Sequence, residues 1–214
     1  MKRIALLLLS LFVLVGCTTK MPSLDTGFKQ GLSKPVSQST NHKKRFMRYY
    51  TPPHVGVKKA DTNSTLFTVE GFDVLMRLSI DKIVSENFDY DKKSETEKTQ
   101  DPVFEDSASY IDIQDETRNM KVRIYKMNEY YAIFLNNESV DMLALVPGTN
   151  VSITLESMVD ILKTVVINKD VVVSAYSNKE ISNYDSTYSE FFEQTPPETG
   201  TLKDMYEQLN PNRD

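Results

Sequence analysis

The sequence predicts an α+β fold, mainly an antiparallel meander sheet with one packed helix, flanked by a disordered tether and an acidic tail. Apolar and polar residues alternate in several short runs between residues 55 and 146, which is the pattern of half-buried strands. Two-residue turns join the later runs, and such turns are too short for the crossovers that parallel pairing needs. Residues 151–166 change to a helical period.

The strands begin with a short candidate at residues 55–59. Residues 64–70 and 72–80 alternate on either side of Gly71, which predicts a β-hairpin. Residues 81–88 fit either a continued strand or a short helix, and the pattern does not choose between them. The remaining candidate strands cover residues 108–114, 120–127, 130–136 and 139–146.

The helix is expected at about residues 155–166, with Thr154 or Ser157 as its N-cap. Its apolar residues fall near one helical face, which would lie on the sheet: Ile153, Met158, Ile161, Leu162 and Val165. Residues 171–176 (VVVSAY) are rich in β-branched side chains and predict a final buried strand.

A long exposed loop is expected at residues 89–106, where charged residues are dense and apolar ones are few at first. Its carboxylates suggest a calcium site. However, the loop lacks the spaced acidic pattern and the glycine that such a site requires. We therefore predict no metal site, and no cofactor.

The first residues predict a secretory signal peptide. Lys2 and Arg3 precede an apolar run over residues 4–15 that only Ser10 interrupts. That run is shorter than the roughly 20 residues of a membrane-spanning helix.

The end of this segment resembles the lipobox of bacterial lipoproteins. Leu14, Val15, Gly16 and Cys17 match its four positions. The resemblance implies that residues 1–16 are removed and that Cys17, the single cysteine of the chain, carries a diacylglycerol thioether. It also implies a lipid-anchored protein on the extracytoplasmic face of the cell membrane. Because Thr18 and not Asp follows Cys17, the outer membrane is allowed in a host with two membranes.

The predicted domain organisation has four parts: a signal peptide at residues 1–16, a lipidated cysteine and flexible tether at 17–45, one α+β domain at 46–182, and a mostly disordered tail at 183–214. Near the end of the tether lies a basic cluster, composed of Lys43, Lys44, Arg45 and Arg48. This cluster either contacts an anionic membrane surface or is a solvated end of the linker.

Charge and motifs restrict the function. The chain has 25 basic and 30 acidic residues, and removal of Lys2 and Arg3 makes it more acidic, which argues against nucleic acid as a partner. The sequence has no G-x-S-x-G, H-E-x-x-H, Walker or G-x-G-x-x-G motif. Of its two histidines, His54 is the nearest candidate for a functional residue, but it fits an ordinary loop position at the domain entrance.

These observations predict a membrane-anchored, non-enzymatic binding or structural component of the cell envelope. Its partner would be an envelope protein or a wall polymer. Two alternatives stay open. One is a small-ligand-binding lipoprotein, and the other is an envelope hydrolase that uses a pair of carboxylates.

Overall fold

A computed structural model describes residues 23–88 and 101–176, and it has the predicted α+β architecture dominated by antiparallel sheet. In chain order the elements are α1 (Thr26–Ser33), β1 (His42–Lys43), β2 (Met47–Tyr49), β3 (Val55–Ala60), β4 (Ser64–Val69), β5 (Phe72–Leu78), α2 (Ile80–Phe88), β6 (Phe104–Ile111), β7 (Thr117–Met127), β8 (Tyr130–Asn136), β9 (Val140–Pro147), a 3₁₀ turn (Gly148–Asn150), α3 (Val151–Leu162), β10 (Val166–Ile167) and α4 (Lys169–Tyr176).

The main sheet has seven strands in the order β3-β4-β5-β9-β8-β7-β6, and every pair is antiparallel. The hairpin predicted around Gly71 is confirmed, and Gly71 adopts φ +85° in its turn. The meander is not continuous, because β5 pairs with β9 and β6 lies at the far edge. The chain therefore crosses from the centre of the sheet to its edge after β5, and the ambiguous residues 81–88 lie within α2.

The core lies between one face of this sheet and the helices. Alternate residues of β5 and β9, such as Val74, Met76 and Ala144, are fully buried on that face. Helix α3 contacts β4, β8 and β9 and contributes Leu155 and Met158 to the same cluster. The period-two pattern of the strands and the helical period of α3 thus meet in a single core.

Helix α3 begins four residues earlier than predicted and ends at Leu162. The predicted N-caps, Thr154 and Ser157, are buried inside the helix, and Asn150 occupies the cap position without a side-chain capping bond. The 3₁₀ turn leads directly from β9 into the helix, so the first turn forms without a capping side chain. Beyond Leu162 the chain turns to form β10.

The predicted flexible tether is wrong for the described residues 23–45, because α1 packs against α3. Phe28 is 1% exposed and belongs to the main core. The Lys163 ammonium donates hydrogen bonds to Gly31 O at 2.7 Å and Lys34 O at 2.6 Å. An eight-residue helix with two glycines has poor intrinsic stability, so α1 depends on tertiary packing. Its apolar pattern is too short to predict a helix from the sequence.

The predicted final strand at residues 171–176 is also wrong, because these residues lie in α4. Asn168 Oδ1 accepts the N–H of Val171 at 3.3 Å and so satisfies a donor in the first helical turn. Val172 is fully buried in the main core, and α4 packs against α2. Burial of this helical face overrides the strand preference of the β-branched residues.

The predicted loop at residues 89–106 ends earlier than expected, because residues 104–106 belong to β6. Residues 89–100 lie outside the described residues. So do the signal peptide, the lipobox, and the predicted tail at residues 183–214.

Candidate functional site

The lipobox lies outside the described part of the chain: Leu14, Val15, Gly16 and Cys17. The distance between Cys17 and the described domain is nevertheless limited by the few residues that connect them. Ser23, the first described residue, follows Cys17 by six positions. Six residues span at most about 20 Å when fully extended. The domain therefore begins close to the predicted lipid attachment point.

The basic cluster lines a cleft of about 470 Å³, here called the basic cleft. The β1–β2 hairpin forms one side, and residues 166–170 form the other. Lys43, Arg45, Arg48 and Lys169 contribute positive charge, and Asp170 is the one carboxylate in the lining. A concave, positively charged surface thus occurs on a protein whose overall charge is negative.

The alternation of β2 explains why the cations face outward. Met47 and Tyr49 are 2% and 0% exposed, so their side chains point into the core and Arg48 points to the solvent. The register of the small sheet places Lys43 directly opposite Arg48. Arg45 lies in the turn between the two strands, where its guanidinium carbon is 5.1 Å from the centre of the Phe46 ring.

Lys44 is directed inward, unlike its neighbours in the predicted cluster. Its ammonium donates hydrogen bonds to Asp61 O and Thr65 Oγ1, each at 2.6 Å, and also to Ser64 O. Burial lowers the pKa of Lys44 to about 8. Lys44 therefore ties the hairpin to β4, and of the predicted contact set Lys43, Arg45 and Arg48 remain solvent-exposed.

His54, the sequence-based candidate, forms a hydrogen bond with Ser157 on α3 at 3.0 Å. Ser157 Oγ also lies 2.8 Å from Ile153 O, to which it donates its single proton. His54 therefore donates to Ser157 and does not act as its base. Ser157 is 1% exposed, so this pair links the domain entrance to α3 and does not present a nucleophile.

Many of the described carboxylates engage basic side chains or backbone amides, and neither described cleft is lined by a pair of carboxylates. Asp112, 5% exposed, accepts the N–H of Gln114 at 2.8 Å and of Glu116 at 3.0 Å, and pairs with Arg118. A second cleft, between the end of α1 and the β6–β7 turn, has no carboxylate in its lining. Residues 23–88 and 101–176 contain no group of three or more acidic, histidine or cysteine residues arranged to hold a metal.

The outer face of the sheet carries a second, smaller apolar cluster. Its buried members are Leu75, Tyr125, Ala132, Leu143 and Leu145, with Leu66, Met127 and Phe134 packed around them. All of these are strand residues, whereas the buried apolar side chains of the four described helices belong to the main core. The sheet thus has two apolar faces, and the described helices pack on only one.

The two edges of the sheet differ in how they are protected. Edge strand β3 has a register shift between Val57 and Lys59, and bulges and lysines are common protections of a sheet edge. Edge strand β6 instead pairs with β7 over eight consecutive positions without a shift. Asp106 Oδ1 accepts the N–H of Ser107 at 2.8 Å, so this amide faces away from β7.

No protein-family model, curated protein or solved structure matches this chain. Among the described residues, no helix is both long enough and apolar enough to cross a membrane.

Proposed function

We propose that this protein is a lipid-anchored, extracytoplasmic bacterial lipoprotein that acts as a non-enzymatic binding component of the cell envelope. The observation that carries the proposal is the lipobox-like sequence that ends at Cys17, together with described domain residues that begin six positions later, at Ser23. Two acyl chains on Cys17 would hold the protein stably at the membrane. The short connection would keep the domain at the membrane surface.

Metabolic labelling with an alkyne fatty acid tests the anchor. Cys17 is the only cysteine, so a thioether-linked lipid has one attachment position. We expect the wild-type chain to be labelled and Cys17→Ser to lose the label. A Thr18→Ala variant, which leaves the lipobox intact, is the matched control and should keep the label. Equal labelling of Cys17→Ser would refute the lipid anchor.

The partner we propose is an envelope protein that adds an extended segment to β6. Since the N–H of Ser107 faces away from β7, the N–H group of Ser109, two residues further along β6, faces the same edge. Within the described residues β6 pairs only with β7. An edge of this kind binds an extended peptide through main-chain hydrogen bonds.

Site-specific photo-cross-linking in cells tests the β6 edge. A benzophenone residue at Ser109 should capture one envelope protein, and the same residue at Val57 on the β3 edge should not. Ser107→Pro should weaken capture because the proline ring blocks the open edge while the ladder to β7 keeps its hydrogen bonds. Ser107→Ala is the matched control. Capture from both edges, or capture unaffected by Ser107→Pro, would contradict strand addition at β6.

A further inference from the structure

We infer that the basic cleft is a binding site for a phosphate group. Three basic side chains of the cleft lack a carboxylate partner among the described residues. Lys43, Arg45 and Arg48 form no salt bridge with any described residue, and all three line the cleft. Salt bridges to carboxylates engage many of the other described cations: Lys29, Lys34, Lys58, Lys59, Arg77, Lys82, Arg118 and Lys121. Three exposed cations without a described carboxylate partner therefore lie together on one concave surface.

The register of the β1–β2 hairpin places two of these cations next to each other. Lys43 and Arg48 are direct cross-strand partners, and like charges in this position destabilise a sheet. The inward packing of Met47 and Tyr49 fixes this arrangement, so the two cations cannot separate by a change of face. An anion between them would relieve the repulsion.

The donor groups of the cleft have the chemistry that binds phosphate. A guanidinium presents paired N–H groups that match the oxygens of a phosphate. The Phe46 ring lies beneath the Arg45 guanidinium and limits its positions, so less freedom is lost on binding. Two arginines and a lysine around one cleft supply the positive charge and the several N–H donors that a phosphate monoester or diester can accept.

This site does not depend on the lipid anchor, and it is tested without it. The mature chain from residue 17 with Cys17→Ser contains every described residue and cannot be lipidated at that position. Binding is measured to three probes: poly(glycerol phosphate), vesicles of phosphatidylcholine mixed with phosphatidylglycerol, and polyglutamate. The test variant is Arg45→Gln/Arg48→Gln. The control, Lys29→Gln/Lys121→Gln, removes the same charge from exposed positions outside the cleft.

We expect binding to a phosphate probe to weaken about fivefold for each arginine removed, and the control to bind like the parent chain. Binding to poly(glycerol phosphate) identifies a phosphate-bearing polymer as the ligand source. Binding to the vesicles alone identifies a lipid headgroup. Equal binding to polyglutamate, equal loss in the control, or no binding to either phosphate probe would overturn the inference.

Thermal unfolding separates a lost site from a lost fold. Arg48→Gln removes the like-charge contact with Lys43, so its melting temperature should equal or exceed that of the parent chain. Phosphate probes should also raise the melting temperature of the parent chain and not that of the double variant. A double variant that melts normally and still responds to the phosphate probe would refute a site at Arg45 and Arg48.

Discussion

Substituting Gly27 with alanine tests whether α1 packs on α3, because a packed α1 and a flexible α1 predict changes of opposite sign in the free energy of unfolding. A Cβ at Gly27 would overlap the carbonyl oxygen of Ser152 and lie 2.8 Å from the Ser152 Cα. Ordinary contacts between carbon atoms begin near 3.5 Å, so α1 would have to withdraw from α3 by about 1 Å. In an unpacked helix the same change would be favourable, since alanine has the higher helix propensity.

The expected loss of stability depends on the contacts that the displacement of α1 disturbs. Overpacking of this kind costs roughly 1–3 kcal/mol, and the propensity gain offsets up to about 1 kcal/mol. The loss has an upper limit because α1 could detach, which would expose Phe28 at a cost of about 1.5–3 kcal/mol and would also break the two hydrogen bonds that Lys163 donates to Gly31 O and Lys34 O. We therefore expect Gly27→Ala to lower the free energy of unfolding by about 1–2 kcal/mol.

Urea denaturation of the unlipidated mature chain measures this change as a lower midpoint with an unchanged m-value. Gln30→Ala, at an exposed position of the same helix, is the matched control and should change stability by less than about 0.5 kcal/mol. A Gly27→Ala variant as stable as the parent, or more stable, would refute the packing of α1 on α3.

Three further predictions concern buried polar groups. Lys163→Met removes the hydrogen bonds to Gly31 O and Lys34 O, and should cost about 2 kcal/mol and speed hydrogen exchange in α1; unchanged exchange would contradict this anchoring role. Because burial lowers the pKa of Lys44 to about 8, the unfolded chain holds a proton that the folded chain lacks between pH 8 and about 10, so stability should rise with pH there. Solvent screening limits the gain in stability to the order of 1 kcal/mol. Lys44→Met should reduce the slope of unfolding free energy against pH, as measured by urea denaturation at several pH values. An unchanged slope would show that other groups cause the pH dependence. Asp112→Asn weakens the acceptor of two turn amides and removes an ion pair, and should lower the urea midpoint by an amount equivalent to about 1–3 kcal/mol, whereas an unchanged midpoint would show that the turn does not need the charge.

The strands were the most predictable part of the fold because their signal is local. The run at residues 130–136 was predicted with the bounds that β8 has, and the hairpin around Gly71 was predicted with its turn. The join between β5 and β9 was not predicted. The order of strands in a sheet depends on packing between distant segments. The alternation of apolar and polar residues along one strand does not contain that information.

The helices were less predictable, for two different reasons. Helix α1 has a short apolar period and gains its stability from Phe28 and from the contacts of Lys163. Residues 171–176 have the composition of a strand, yet Val172 is buried by a helix that packs on α2. In both cases burial against a distant element outweighs the local preference.

The candidate site was predictable as a set of residues and not as a surface. The basic cluster is visible in the sequence, but its division into inward and outward members is not. Lys44 points inward because two carbonyl groups and a hydroxyl accept hydrogen bonds from its ammonium. Lys43 and Arg48 lie opposite each other on the exposed face because the side chains of Met47 and Tyr49 are buried in the core.

The sequence by itself determined the α+β class, most of the strands, and the lipobox resemblance at Cys17, since each depends on neighbouring residues or on a periodic pattern. Only the tertiary structure decided the order of the strands, the docking of α1 on α3, and the assembly of residues 43–48 with residues 166–170 into a cleft. Those features depend on contacts between segments that are far apart in the chain. Their stability comes from shared burial and hydrogen bonding, which exist only once the segments meet.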